Sequence, residues 1–493
     1  MTFNELIDRI DDSLNPIIVK ELRQVVRGRF LWGVLLLFLG FQCAVLSVSI
    51  ADRGMSNSSV GADTLIFLFV ILFVGCFAVI PLYSGFKFAK ERGENSEELL
   101  LITTITPYSV IRGKFAASMA FILLIFSAFA PFMAMTFFLS GVDMPLMFLV
   151  LFLGLLVCGG ATMLQIALGS LAHDLSAFNL LRGVGLFIQI SLFFSLIGIV
   201  SEIFRFGAAR MFGTSQFYEA LGTMIFFILA ATYFLYLAAA AVISPSGSNR
   251  MLPLRRYLTR LWLISLAITF YWIITGSKAS LIYGWGFICV SVLNFMLVIA
   301  VSERDYLTRR VARDIPKGWL QNRLAFLLSS GAAGGITWCL TMIVLTIIVV
   351  FMTSDYLFTG AYVYARAEFF EFAFGFTSYI LAYTLLAAFI RRVFLAEYIS
   401  IRNTWVVALI VCAVFSIAPM FLGILAGSGS DLLMVGNPFS IASSRSREVG
   451  IIFAATMSVI GLIVNLPWLY RQAREFFALE HNLQFEARAD SEE

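Results

Sequence analysis

Twelve long apolar runs, each free of Lys, Arg, Asp and Glu, divide this chain: 30–50, 64–84, 115–140, 145–171, 183–201, 220–243, 261–277, 279–302, 325–352, 372–390, 404–426 and 451–470. A helix needs about 20 apolar residues to cross the hydrocarbon of a bilayer, and in lipid only a helix or a closed barrel satisfies its own backbone. The runs therefore predict an all-α, polytopic helical membrane protein of about 12 transmembrane helices. Composition agrees. The chain of 493 residues is 60% hydrophobic and 13% charged, where soluble domains carry about 25% charged residues.

Lys and Arg set the expected orientation. With the N-terminus in the cytoplasm, 27 of the 34 basic residues fall on the inner side, and only Arg53, Arg205, Arg210, Lys278, Arg366, Arg445 and Arg447 fall outside. That asymmetry is the positive-inside pattern. It predicts a multi-pass protein of the cytoplasmic (inner) membrane with both termini in the cytoplasm. The first run follows a polar stretch and is long enough to remain a span rather than a cleaved signal. The net charge of +4 implies no nucleic-acid partner, because the basic residues border spans.

Little else is available for chemistry. The connecting segments are too short to hold an ATPase or receptor domain. Gly113-Lys114 lacks the preceding glycine of a P-loop, since Tyr108 stands there and Phe115 follows. Cys43, Cys76, Cys158, Cys289, Cys339 and Cys412 all fall inside apolar runs, with no metal-ligand spacing. His173, beside Asp174, and His481 have no partner at metal or triad spacing. Asp52, Asp63, Glu202, Glu368 and Glu371 read as solvated loop charges, although a membrane transferase would draw on such carboxylates. The expectation is no catalytic residue, no metal and no cofactor.

Ion-coupled carriers place ionisable side chains at membrane depth. Here the deep polar residues are neutral amides: Gln42, Gln165, Gln189, Asn294 and Asn465. They read as hydrogen bonds between helices, and the Gly331/Gly335 pair reads as a close helix approach. Energy would then enter from a partner, and two inner segments suit that. In 1–29, Asn15-Pro16 reads as a helix start. Ile18, Leu22, Val25 and Val26 form an apolar stripe opposite Lys20, Arg23, Gln24 and Arg27. This amphipathic helix, which also contains Glu21, suits an anionic membrane face; the same pattern also serves a plain juxtamembrane anchor. The second segment, 85–114, carries Glu91, Glu94, Glu97 and Glu98, then Leu99 to Ile102, then Thr106-Pro107. It reads as a rigid charged lever, or as a solvated hairpin.

The stretch Glu91-Arg92 … Ser96-Glu97-Glu98-Leu99-Leu100 … Thr103 … Thr106-Pro107 … Gly113-Lys114 resembles the signature between spans 2 and 3 of ABC-2-type transporter permeases. Asn15-Pro16-Ile17-x-x-Lys20-Glu21-Leu22-Arg23 resembles their leading helix. The resemblance covers roughly 10–245 and is strongest over 15–30 and 86–115. It implies a permease subunit, an exporter, that hydrolyses nothing itself and is worked by a separate ABC ATPase subunit. Glu91, Arg92, Glu97, Glu98, Leu99, Leu100 and Pro107 would make the coupling contacts. Asn15, Pro16, Lys20, Glu21, Arg23 and Arg27 would lie on the membrane surface. Ser96 departs from the Gly-Thr often found in the family.

The length also departs, since ordinary members have six spans. The division expected is a first six-span unit over 30–243, a basic linker over 244–260, a second six-span unit over 261–470 and a cytoplasmic tail over 471–493. A degenerate duplication and six accessory spans both remain open, because the segment 302–323 lacks the Glu-Leu-Leu core. Asn437-Pro438-Phe439 resembles a turn near the late spans of the family. Besides the bilayer and the ATPase, a second permease or a second copy of the chain would be a partner. The alternatives are an ATP-independent twelve-span carrier and a membrane-embedded transferase or assembly factor.

Overall fold

The computed structural model describes residues 16–27, 29–52, 60–93, 106–137, 143–171, 183, 185–198, 214–245, 247–276, 280–304, 311, 313, 315, 318–357, 363–425, 433–438 and 447–492. Among the described residues there is no strand. Eleven helices among them are long and apolar enough to cross a membrane, and a shorter apolar helix, Gly185–Gly198, stands at the remaining expected span. The protein is an all-α multi-pass membrane protein. It divides into two compact units, Met1–Ser244 and Pro245–Glu493.

The first unit begins with α1 (Pro16–Arg27) and α2 (Arg29–Asp52), continues through α3 (Val60–Phe73), a π-helical turn (Val74–Val79) and α4 (Ile80–Gly93), then α5 (Pro107–Phe137), α6 (Met144–Leu171), α7 (Gly185–Gly198) and α8 (Ser215–Ile243). Helix α2 has the inverted polarity of a lipid-facing span. Phe38, Gln42 and Leu46, at i, i+4 and i+8, are buried, while Trp32, Leu36, Leu37, Phe41, Val48 and Ile50 are exposed. Only a narrow stripe meets protein; the apolar remainder suits lipid.

Helices α3 and α4 form one rod, because the π turn between them keeps the helical path. Phe69, Phe73 and Phe77 stack along it, with ring centroids 5.1 and 4.8 Å apart. Helix α6 sits at the middle and packs on α4, α5 and α8. Its crossing with α4 is a backbone contact. A Cβ on Gly169 would lie 2.6 Å from the Gly85 carbonyl oxygen, and one on Gly85 would lie 2.6 Å from that of Gln165. Small residues let membrane helices approach this closely, and dispersion then replaces the hydrophobic drive that lipid does not supply.

The second unit comprises α9 (Leu252–Ile274), α10 (Leu281–Ala300), α11 (Trp319–Leu328), α12 (Ala332–Leu357), α13 (Val363–Val393), α14 (Thr404–Leu425) and α15 (Arg447–Glu492). Helix α13 is its centre, packed on α10, α14 and α15. Three details differ from the sequence expectation. Most of the basic run 244–260 is not linker but the first turns of α9, opened by a proline in its first turn. The run 325–352 is split at Ser329–Gly331, so its first residues end α11 and the span begins at Ala332. Helix α15 continues past the expected span to Glu492. Its continuation packs back on the unit: Gln472 Oε1 accepts from the Ala333 amide at 2.8 Å, and Phe476 lies edge-on to Phe326 at 5.3 Å.

A short segment between α14 and α15 reaches into the body of this unit. Leu433–Gly436 form a 3₁₀ turn. Tyr379 and Tyr383 donate their hydroxyls to the carbonyls of Val435 and Gly436, and Asn437 Nδ2 donates to the Ser416 carbonyl at 3.2 Å. Ser416 is half-way along α14, about 18 Å from its start at 1.5 Å per residue. Non-helical backbone at such depth persists only where protein satisfies it; the two tyrosines do so here, and the asparagine side chain ties the segment to α14.

Candidate functional site

In each unit the Lys- and Arg-rich ends of the spans gather at one end, called here the basic end. At that end of the first unit, four charged side chains from three helices meet. On α1, Ile18 and Leu22 are half-buried where the helix packs on α5, and Glu21, beside them, is 5% exposed. Lys114, about two turns into α5, is 7% exposed. Its Nζ donates to Glu21 Oε1 at 3.1 Å and also pairs with Glu91 of α4. Lys87, one turn before Glu91 on α4, pairs with the other Glu21 oxygen and donates to Gln24 Oε1 at 2.8 Å. The Lys114 ammonium also stands 4.9 Å from the centre of the Phe88 ring, where the ring quadrupole attracts a cation.

The two pairs of Glu21 bind opposite oxygens, so the carboxylate bridges α4 and α5. Burial pushes the Glu21 carboxyl up. The charge of Lys114 and the hydrogen bond from Lys87 pull harder, and the net effect holds it below the ordinary carboxylate value. The cavity at this junction, lined by Glu21, Ser84, Lys87, Lys114 and Ser118 among others, has a volume of about 30 Å³. That is room for a water molecule and far below the several hundred Å³ of a small-molecule site. The cluster is a set of ion pairs that ties three helices together. It fastens α1 to the two helices from which the segment 94–105 springs.

Of the residues expected to matter, the structure brings Glu21 and Glu91 together through Lys114. Arg92 is half-buried on the last turn of α4, and Pro107 opens α5. Lys20, Arg23 and Arg27 are exposed on α1, and Pro16 is its first residue. Asn15, Glu97, Glu98, Leu99 and Leu100 lie outside the described residues, as do His173 and Glu202. Lys114 and Lys87 carry more of the joint than the sequence suggested. Their signal was a lysine well inside an apolar helix and a carboxylate at the edge of an apolar stripe, since either is costly to bury alone.

The second unit also has a buried ion pair at its basic end. Arg255 of α9 is 2% exposed and Glu303, after α10, is 3% exposed; they pair directly. The Arg255 guanidinium donates further to the carbonyls of Leu327 (3.0 Å) and Ser329 (2.5 Å), and Glu303 Oε2 accepts from the Gly331 amide at 2.7 Å. Gly335 must be glycine, because its Cβ would lie 2.5 Å from Arg255 Nη2 and 2.8 Å from Ala300 Cβ. Of the pair expected to bring two helices close, only Gly335 does so, against an arginine as well as a helix; a Cβ on Gly331, which precedes α12, would meet nothing within 4 Å.

Four of the five deep amides join helices, whereas Gln42 is buried on α2 with no hydrogen-bond partner for either side-chain atom among the described residues. Gln165 Nε2 donates to Gln189 Oε1 at 2.8 Å, and Gln189 Nε2 donates to the Phe77 carbonyl in the π turn at 3.2 Å. Asn294 Nδ2 donates to Thr377 Oγ1 at 3.0 Å, and Asn465 accepts from Arg392. At the opposite end of the second unit, Glu371 pairs with Arg447 at 2.6 Å. No family model, curated protein or solved structure matches this chain.

Proposed function

We propose that this chain is the membrane-spanning permease subunit of an ATP-driven exporter, moved by a separate ATPase subunit that docks on the segment 85–114 at the cytoplasmic face. The observation that carries this reading is the joint of Glu21, Lys87, Glu91 and Lys114. A push on the segment 94–105 passes into both α4 and α5 at their roots, and α1 is fastened to the same two helices. Two carboxylates and two ammonium groups, one or two from each helix, resist separation, so the three helices move as one body. The neutral amides at depth leave no ionisable relay for a coupling ion, which favours an external source of energy. In this reading the basic ends face the cytoplasm, α1 lies along the inner membrane surface, and a second permease or a second copy of the chain completes the pathway.

The test uses the tagged full-length chain purified from its native membrane and assayed for ATP hydrolysis. A nucleotide-hydrolysing subunit is expected to copurify. Reversing Glu97 and Glu98 to Lys is expected to release that subunit while the chain itself stays folded. Retention of the subunit by the reversed variant, or cargo movement by the chain alone in liposomes without nucleotide, would refute the proposal.

A further inference from the structure

Helix α11 has ten residues and a length of about 15 Å, too short to cross a bilayer, yet its end is fixed at the edge of one. Arg255 Nη1 donates to the carbonyls of Leu327 (3.0 Å) and Ser329 (2.5 Å), and Ala332, three residues after Ser329, opens the span α12. Arg255 stands six residues before Leu261, where the apolar run of α9 begins, which is about 9 Å along the helix. That is the level of lipid headgroups, outside the hydrocarbon.

One side of α11 meets protein. Phe326 packs on Phe476 and Phe477 of α15, with ring centroids 5.3 and 5.5 Å apart, and Asn322, one turn earlier, is buried. Leu320, Leu324, Leu327 and Leu328 recur at i, i+4, i+7 and i+8, so they form a stripe on the side opposite Asn322 and Phe326. Leu327 and Leu328 are half-buried, but Leu320 and Leu324 are 62% and 48% exposed. Trp319, at the start of the helix, is 76% exposed.

This polarity is inverted for a helix on a water-covered surface, where the side turned from the protein is polar. Here the side turned to the protein holds an asparagine, and the side turned away holds leucines. Lipid removes the conflict, and tryptophan is the side chain that settles at the membrane–water interface. Arg256 and Arg260 are exposed on the first turns of α9, at the same level as the clamp of Arg255, where anionic headgroups attract basic residues.

We infer that α11 lies in the membrane–water interface, with Trp319, Leu320 and Leu324 set into the boundary between lipid headgroups and acyl chains. Amphipathic helices bury their apolar face about 5–10 Å into that boundary. The break at Ser329–Gly331, held by Arg255 and Glu303, is then the corner at which the chain turns from the membrane surface into the span α12. Through the same clamp the surface anchor is tied to α9. The inference is independent of the transport mechanism and needs only a bilayer.

The experiment uses the full-length protein in nanodiscs of phosphatidylglycerol and phosphatidylcholine. Leu324→Cys is labelled with the environment-sensitive dye NBD, and wild type labelled in parallel gives the share from native cysteines, which is subtracted. Lipids that carry a nitroxide near the headgroup are expected to quench the probe, and its emission is expected to shift to shorter wavelength than that of the free dye in water. Thermal unfolding checks that the variant folds; Leu320→Cys reads the same stripe if Leu324→Cys does not. Absence of nitroxide quenching would overturn the inference. Aqueous iodide then tells what covers the stripe instead: it quenches the probe if water does, and spares it if a second copy or a partner protein does.

Discussion

Replacing Lys114 with Met removes the hub of the joint at the basic end of the first unit. The side chain volume is kept, so the loss is one of charge and hydrogen bonding. Lys114 and Glu21 have side chains 8% and 7% exposed, whereas Lys87 and Glu91 are both at 23%. The exposed partners can turn to water. Glu21 cannot, and it loses one of its two ammonium partners while still buried. Removing one member of a buried ion pair costs about 3–5 kcal/mol. Lys87 remains as a partner for Glu21, which sets the expectation at the lower end, about 3 kcal/mol. Glu21→Gln alone should cost about 2 kcal/mol, because Lys114 keeps Glu91. With both changes the buried charges disappear together, so the loss should fall short of the sum by at least about 1 kcal/mol. Equilibrium unfolding of the four proteins in mixed micelles measures this cycle. Additivity within about 0.5 kcal/mol, or a loss under about 0.5 kcal/mol for Lys114→Met, would show that these charges do not hold α1 to α4 and α5.

Three further outcomes follow from the same contacts. The folded-state pKa of Glu21 lies below its ordinary value, so its contribution is complete above that value and is lost as pH falls through the lower, folded one; the stability gap between wild type and Glu21→Gln should close on acid titration, and a gap that widens would contradict the pairing. Gly169→Ala sets a methyl group 2.6 Å from the Gly85 carbonyl oxygen, where neither backbone can yield cheaply, and should destabilise the first unit by about 1–3 kcal/mol by thermal unfolding in detergent. Arg255→Met leaves Glu303 buried without its cation and should cost about 3–5 kcal/mol, much of it recovered when Glu303→Gln is added; no recovery would mean that the carboxylate was not the source of the loss.

The positions of the spans were legible in the sequence, because each segment's preference for lipid is a property of its own side chains and needs no partner. Eleven long helices and the shorter Gly185–Gly198 fall on the twelve runs. The break at Ser329–Gly331 was not legible, since its backbone is captured by Arg255, Glu303 and Asn249, residues up to 81 positions away. The amphipathic reading of α1 placed Lys20, Arg23 and Arg27 outward, but Glu21 read as one more polar residue, and periodicity alone does not reveal which charge lies opposite it.

Hydropathy and helical period, both local quantities, are what the sequence by itself determined: an all-α chain of many membrane spans and a leading amphipathic helix. The tertiary structure decided which charges meet. Glu21 finds Lys114 across 93 residues and Lys87 across 66, and Arg255 finds Glu303 across 48. Coulomb attraction depends on separation in space and on exclusion of water, neither of which is written in the spacing along a chain. The same holds for Gly85 and Gly169, whose small size becomes a requirement only once two helices cross at that point.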